Sequence, residues 1–472
     1  MYRNHIRLAY CGAALISLLV VVSCSPRKPL PPDAASPFTY KEVMIPVRDG
    51  ARLQTVILTP RGRSGALPIL LTRTPYGVPD KAPATMPEDL KALARDGYIF
   101  VIQNVRGRFK SEGVFSMNNA GPNAPNEITD AYDTINWLVK NIPNNNGRAG
   151  IYGISYSGFT SGVTLLNPPS ALKAVSEQAS PTDEWMNDDF HHNGALRESY
   201  AFEYSVMEEA SKTKNTHFDF DDYDTYQWYL KLGPLSNVND KYLHGSLQSW
   251  NDIVAHPDHD AYWKAQDWVH ALHGTHVPVL NVAGYWDQED PWGPWQIFRH
   301  AGESSDHIDF VVAGPWYHGG WSREPRGDKI GMIPLGQDTA REFREDIQAP
   351  FFRYYLHGDG PRPNWVAKSF QTGSNAWHSY ASWPPPSAKS TNLYLHADGT
   401  LSFEAPTTQA EPAPHREYIS DPANPVPYRR RPISPTYPGG DWTTWEASDQ
   451  RFVDHRPDVL TYVSAPLTQN VT

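Results

Sequence analysis

The hexapeptide Gly153-Ile154-Ser155-Tyr156-Ser157-Gly158 offers a serine around which nucleophilic chemistry can be built. The run 149–152 before it is strand-like, and 159–166 after it can be helical. A strand, a sharp turn and a helix in that order lift a serine hydroxyl clear of a sheet. Gly153 and Gly158 permit the turn and a close approach of strand to helix. The fifth position of the usual elbow is Ser157 here, with the glycine one residue later. Taken alone, the hexapeptide reads as readily as an ordinary Gly/Ser turn. A serine nucleophile needs a base, a group to orient that base, and donors for an oxyanion. Asp287 follows the apolar run 277–282, and His318 follows the apolar run 309–312 in a turn, His318-Gly319-Gly320. Ser155, Asp287 and His318 therefore come in the order nucleophile, acid, base, each just beyond a predicted strand. His300 and His307 lack that placement.

One oxyanion donor is expected from the backbone N–H of Tyr156, the residue after the nucleophile. The second should come from the loop after an early strand, where Tyr76 stands in Arg73-Thr74-Pro75-Tyr76. Its phenol has suitable reach as a donor, and a tyrosine simply packed in a Thr-Pro-Tyr turn is the equal alternative. The segment Asp287-Gln288-Glu289-Asp290 carries three carboxylates in four residues. Buried together, they would take up protons unless a cation sat among them. With one serving the histidine, Glu289 and Asp290 are left to face a pocket. Asp188 and Asp189, if they reach the same place, would complete an anionic corner for a substrate ammonium. On sequence alone, a solvated acidic turn or a structural cation site is the plainer reading.

The elements that must position these groups follow a strand–helix rhythm. Strand-like runs at 40–46 and 53–58 flank an Asp49-Gly50 turn, and buried strands are predicted at 67–71 and 98–101. A helix at 130–140, capped by Thr129, precedes the elbow. The rhythm implies a mostly parallel sheet with helices on both faces. From 182 to 270 the chain is rich in Trp, Tyr, His and Asp, with helical spacing and no strong strand, which predicts a helical cap. The strand–helix rhythm then resumes until about 362, with a charged helix at 339–348. Beyond it, short strand candidates at 368–372, 393–397, 401–404 and 459–463 lie between Pro-rich connectors. They read as a β domain with too few strands for a closed sandwich.

The chain has 472 residues, 16 Trp, 25 Tyr and 43 Pro, a profile that suits a loop-rich, multi-domain globular enzyme. A net charge of −11 argues against nucleic acid as a partner. Arg3 and Arg7, the apolar run 11–22 and Val21-Val22-Ser23-Cys24 read as a targeting segment. The small residue before Cys24 resembles a bacterial lipoprotein cleavage box, so an exported, periplasmic chain lipidated at Cys24 is expected. A plain signal peptide or an uncleaved anchor are the alternatives. Cys11 and Cys24 are the only cysteines, so no internal disulfide or cysteine-bound metal is expected in the mature chain.

From about residue 40 onward the sequence resembles the α-amino acid ester hydrolases, relatives of cocaine esterase, glutaryl acylases and Xaa-Pro dipeptidyl peptidases. The family's Gly-x-Ser-Tyr-x-Gly motif is matched by Gly153 to Gly158, which makes the displaced glycine a family trait. Arg73-Thr74-Pro75-Tyr76 resembles the oxyanion-tyrosine segment. Trp286-Asp287-Gln288-Glu289-Asp290 and Gly314-Pro315-Trp316-Tyr317-His318-Gly319 resemble the acid and histidine segments. Asp188 to Ala195 resembles the cap segment with a third pocket carboxylate, and position against the nucleophile favours Asp189 over Asp188.

The resemblance implies an α/β-hydrolase fold with a helical cap insertion and a C-terminal β jelly roll, here cut short. It places a signal peptide at 1–24 and a linker at 25–39. The hydrolase domain falls at 40–181 and 271–362, the cap at 182–270 and a partial jelly roll at 363–472. It further implies hydrolysis of esters and amides of α-amino acids, including β-lactams with such side chains. Acyl transfer to amines and assembly as a homo-oligomer are also implied, and no cofactor or metal is. Asp189, Glu289 and Asp290 would hold the substrate ammonium. An Xaa-Pro dipeptidyl peptidase or an acylase is the alternative within the family. A truncated, inactive remnant or a binding lipoprotein is the alternative outside it.

Overall fold

Apolar side chains that alternate along the strands decide the two faces of the central sheet. In the computed structural model, residues 36–121, 125–302, 308–406, 415–437 and 439–468 are described. The expected leader, Cys24 and most of the expected linker lie outside them. The sheet is built from β1 (Phe38–Pro46), β2 (Arg52–Pro60), β3 (Leu67–Thr74), β4 (Ile99–Asn104) and β5 (Asn145–Ile154). It continues with β6 (Leu172–Gln178), β7 (Val279–Trp286), β8 (Asp309–Tyr317), β9 (Ala367–Gln371) and β10 (Ala376–Tyr380). Its order is β1-β2-β4-β3-β5-β6-β7-β8-β9-β10. Pairing is parallel from β4 through β9 and antiparallel at both ends. Ile69, Leu71, Ile151 and Val279 pack on one face against Ile135, Leu138 and Phe159. Leu70, Phe100, Leu280 and Phe310 pack on the other against Phe343, Phe352 and Leu356. Both faces of a mostly parallel sheet must be covered in this way. The α/β-hydrolase expectation is met.

Several boundaries moved. The helix before the elbow spans Glu127–Asn141 and is capped by Asn126 rather than Thr129. Asn126 Oδ1 accepts from Thr129 N–H at 3.0 Å, and Thr129 Oγ1 accepts from Asn126 N–H at 3.0 Å. This reciprocal box satisfies two otherwise orphaned donors, so the helix begins three residues earlier than expected. The strand predicted at 368–372 does not open a β domain. β9 pairs in parallel with β8, Val311 opposite Ala367, and buries Ala367 and Phe370, while β10 closes the edge. The central sheet therefore continues past residue 362 as far as Tyr380. Pairing with an open sheet edge outweighed the proline-rich sequence that suggested a break.

The cap is helical as expected, with its longest helix at Glu198–Glu209 and others at Thr225–Leu232, Gln248–Ala255 and Ala261–Gln266. Its core is aromatic: Tyr200, Phe202, Tyr204, Trp228, Trp250 and Trp263 cluster together, joined by Trp442 from the C-terminal region. Past residue 390, the described strands are three short ones at Tyr394–Leu395, Thr400–Ser402 and Val463–Ser464, which form one sheet. Asp398-Gly399 makes the expected turn between the first two, with Gly399 at φ +86°. Residues 433–437 lie against the cap: Ile433 N–H donates to Asp224 at 2.9 Å, and Tyr437 N–H to Glu203 at 3.0 Å.

Candidate active site

The register of four neighbouring strands assembles the site. Ser155, Asp287 and His318 each follow directly on β5, β7 and β8 at the carboxyl end of the sheet. Between Gly314 and Tyr317, β8 gains one residue on β7, which sets Tyr317 opposite Trp286. The next residues, His318 and Asp287, then lie side by side. Such a bulge re-aims a side chain at the end of a strand, and glycine is required on both sides of it. A Cβ on Gly314 would sit 2.3 Å from the Trp316 ring, and one on Gly284 would sit 2.5 Å from the Trp316 carbonyl.

Ser155 occupies the strained elbow conformation, φ 63° and ψ −129°. Its N–H donates to Gln178 O at 3.0 Å. A Cβ on Gly158 would meet Gln178 O at 2.6 Å, and one on Gly153 would meet Ser157 at 2.3 Å. The glycine that packs against the neighbouring strand is thus the one at 158, and Ser157 at the usual glycine position is buried without conflict. Tyr156 N–H is the first of the helix Tyr156–Gly162, one of the donors a helix cannot satisfy internally.

His318 Nδ1 lies 2.9 and 3.1 Å from the two Asp287 oxygens. An ionised carboxylate only accepts, so the proton is on Nδ1 and Nε2 carries the free lone pair. Asp287 Oδ1 also accepts from the N–H groups of Glu289 and Asp290 at 3.0 and 2.9 Å. Burial works to raise its pKa, but the imidazole and these two donors hold it below the ordinary carboxylate value. Burial alone would depress His318, yet the charges of Asp287 and Glu289 outweigh it and hold the imidazole above its ordinary value. His318 Nε2 makes no hydrogen bond and faces Glu289 Oε2 at 3.4 Å.

Tyr76 stands over the elbow. Its carbonyl accepts from Asn215 at 3.0 Å, and the carbonyl of Pro75 accepts from Arg108 at 3.0 Å. Its phenol is 3.0 Å from that of Tyr204 and within interaction range of Ser155. Burial raises its pKa, so it remains a neutral donor.

Beside the histidine, Asp189, Glu289 and Asp290 converge. Tyr200 Oη contacts Asp189 Oδ1 at 2.5 Å and Glu289 Oε2 at 3.1 Å, so its single proton is shared between two carboxylates. Glu289 Oε1 accepts from Trp442 Nε1 at 3.0 Å and Gln288 Nε2 at 3.1 Å. Burial, then the charge of Glu289, pushes Asp189 up to about 6. Asp290 is 0% exposed, and neither of its oxygens has a hydrogen-bond partner. Burial and the charge of Asp189 drive it well above the ordinary carboxylate range. Asp188 points elsewhere. Its Oδ2 accepts from Thr182 and Asp183 N–H, and its Oδ1 from Trp292 and Gly293 N–H, which ties the cap entrance to the loop after Asp287. The fold puts Ser155, Asp287 and His318 at the ends of neighbouring strands, pairs Asp287 with His318, and draws Asp189, Glu289 and Asp290 together beside them. Nothing in the sequence signals Tyr200 or Trp442, which order the carboxylates from 11 and 153 residues away.

Residues 49–320 match the X-Pro dipeptidyl-peptidase (S15 family), and residues 353–472 match the X-Pro dipeptidyl-peptidase C-terminal non-catalytic domain. The chain is 28% identical to a cocaine esterase of Rhodococcus sp. (strain MB1 Bresler), over 91% of this chain and 75% of that one. Among solved structures, an aminopeptidase from the marine sediment archaeon Thaumarchaeota archaeon is 38% identical, with a TM-score of 0.85 over 93% of this chain and 74% of its own. An α-amino acid ester hydrolase is 35% identical, with a TM-score of 0.87 over 96% of this chain and 76% of its own. The chain belongs to the X-Pro dipeptidyl-peptidase (S15) family of hydrolases.

Proposed function

We propose that the protein is a serine hydrolase that cleaves esters and amides of single α-amino acids through an acyl-enzyme. In this reading Asp189, Glu289 and Asp290 bind the substrate ammonium. His318, oriented by Asp287, takes the Ser155 proton, and Ser155 attacks the acyl carbon. Tyr76 and the Tyr156 N–H hold the oxyanion. The imidazolium then protonates the leaving group, and water, activated by the same histidine, releases the acid. An amine in place of water gives acyl transfer, and β-lactams with α-amino acyl side chains are among the amides expected to react.

The observation that carries this reading is Asp290, a buried carboxyl with no partner beside two further carboxylates. An uncompensated cluster of this kind is costly in a folded protein, and a bound ammonium would compensate it. Spacing supports one residue rather than two between ammonium and scissile bond. Glu289 Oε2 lies 3.4 Å from His318 Nε2, and that nitrogen must also reach Ser155, so an ammonium held by Glu289 stands close to the reacting carbon. A dipeptidyl substrate would need its ammonium one residue further away. The resemblance to an α-amino acid ester hydrolase over 96% of the chain points the same way.

The test is a comparison of phenylalanine methyl ester with 3-phenylpropanoate methyl ester, with Ser155→Ala as control. The amino ester should be preferred by a large factor and both activities should vanish in the variant. Equal rates on the two esters would remove the ammonium from the account. Release of X-Pro dipeptides in preference to single residues would favour the dipeptidyl-peptidase alternative.

A further inference from the structure

A cleft of about 810 Å³ opens between the cap helix Thr225–Leu232 and the segments 422–433 and 442–446. It shares one wall with the catalytic centre, since Trp442, Asp287 and Gln288 line it, but Ser155 and His318 do not. Its other walls are the rings of Tyr226, Tyr229, Tyr428 and Trp445, with prolines between them. Tyr428 packs edge-on to Trp445 at 5.2 Å and to Trp442 at 6.1 Å, so these rings present a fixed aromatic surface.

Two carboxylates stand on this surface. Glu198 and Glu446 both line the cleft, and among the described residues neither has a hydrogen-bond or ion-pair partner. The Tyr428 hydroxyl is buried and has no partner there either, which leaves its oxygen free to accept. Arg197 is the one cationic side chain in the lining, and its guanidinium already donates to the carbonyls of Asp188, Gln288 and Glu289. The cleft is therefore aromatic-walled and acidic, with two carboxylates against the single guanidinium of Arg197, whose charge acts on Glu446. Aromatic faces and carboxylates each favour a cation, and desolvation by the prolines strengthens both. Burial pushes the half-buried Glu198 to about 7, and an arriving cation would draw it to the ionised form, while Glu446 is exposed on the lining.

We propose that this cleft is a second binding site, separate from the catalytic centre, for an organic ammonium ion with an aromatic or aliphatic body. Its volume lies within the ~300–1,000 Å³ usual for small-molecule sites. The Trp442 indole connects the two sites, because its Nε1 donates to Glu289 at 3.0 Å. An occupant pressing on that ring acts on the carboxylate that faces His318. The site does not rest on the catalytic reading, and its test separates the two.

The test is calorimetric titration of the full chain carrying Ser155→Ala with phenethylammonium chloride near pH 7.5. Two binding events are expected. Asp290→Asn should remove the catalytic-centre event alone. Glu198→Gln with Glu446→Gln should weaken the other at least tenfold and leave the first in place. Phenethyl alcohol, which has the same body without the charge, should bind the cleft at least tenfold more weakly in the protein with both glutamates present. The absence of any event that is lost with the Glu198→Gln/Glu446→Gln change, or equal binding of alcohol and ammonium, would overturn the proposal. Loss of only the cleft event on changing the two glutamates, with Asp290→Asn silent, would leave this site standing and count against the catalytic ammonium pocket.

Discussion

Replacing Asp290 by Asn should move activity and stability in opposite directions. Asp290 is fully buried, its oxygens lack partners, and its pKa is driven up by burial and then by the charges of Asp189 and Asp188. In the substrate complex its ionised form would accept from the ammonium, a charge-assisted hydrogen bond worth roughly 1.5–3 kcal/mol. Its loss should lower kcat/KM for amino esters roughly 10- to 150-fold, while the des-amino ester is unaffected. Without substrate the same carboxylate is a liability of about 1–3 kcal/mol, and Asn removes it with little change of volume. For a chain of 472 residues, unfolding entropy near ~2.1 cal/mol/K per residue makes that a gain in Tm of about 1–3 °C.

The sign with pH follows from the raised pKa. At low pH, where Asp290 is protonated in both folded and unfolded chains, the two proteins should melt together. As pH rises above the ordinary carboxylate value of ~3.9, the unfolded chain ionises first, and the unsubstituted protein loses stability that the variant keeps. Melting curves between pH 4 and 8, run beside paired-ester kinetics, check both halves. A variant that loses Tm at neutral pH, or loses both esters equally, would refute the assignment of Asp290 as an unpaired carboxyl awaiting a cation.

Three further outcomes are expected. Tyr76→Phe should lower kcat about 10²–10³-fold with little change in KM, the usual effect of removing one oxyanion donor; steady-state kinetics on the amino ester check it. Because Asp287 and Glu289 hold His318 above its ordinary value, the acid limb of kcat/KM should lie above the free imidazole value of ~6.5. Glu289→Gln removes one of those anions and should move the limb to lower pH, as read from the pH–rate profile. Gly158→Ala should abolish activity and lower Tm, because its methyl would meet Gln178 O at 2.6 Å; Ser157→Gly, at the usual elbow position, should be tolerated in both assays.

How far the sequence foretells the site depends on how local the determinants are. The placement of Ser155, Asp287 and His318 past successive strand ends was legible because each follows, within six residues, an apolar run that announces a strand. Choosing Asp189 over Asp188 needed the resemblance, and the fold supplies the physical ground: Asp188 is saturated by backbone donors, while Asp189 turns to Tyr200. Tyr200 and Trp442 were not legible. Their roles arise from contacts across the cap and the C-terminal segment, and nothing in their neighbourhoods distinguishes them from the chain's other aromatics. The strand at 367–371 was recognised but assigned to the β domain rather than to the central sheet, and the one at 376–380 was not foreseen. Five-residue runs carry no record of which edge they will join, and the bulge that aligns His318 with Asp287 is likewise a property of the pairing.

The most direct test is to look for the acyl-enzyme itself. Rapid acid quench of the protein with phenylalanine methyl ester, followed by intact-mass and peptide mass spectrometry, should find a phenylalanyl adduct on the peptide containing Ser155. The adduct should be absent from Ser155→Ala and much weaker with the des-amino ester. An adduct on another residue, or turnover of the amino ester that continues undiminished in Ser155→Ala, would contradict it.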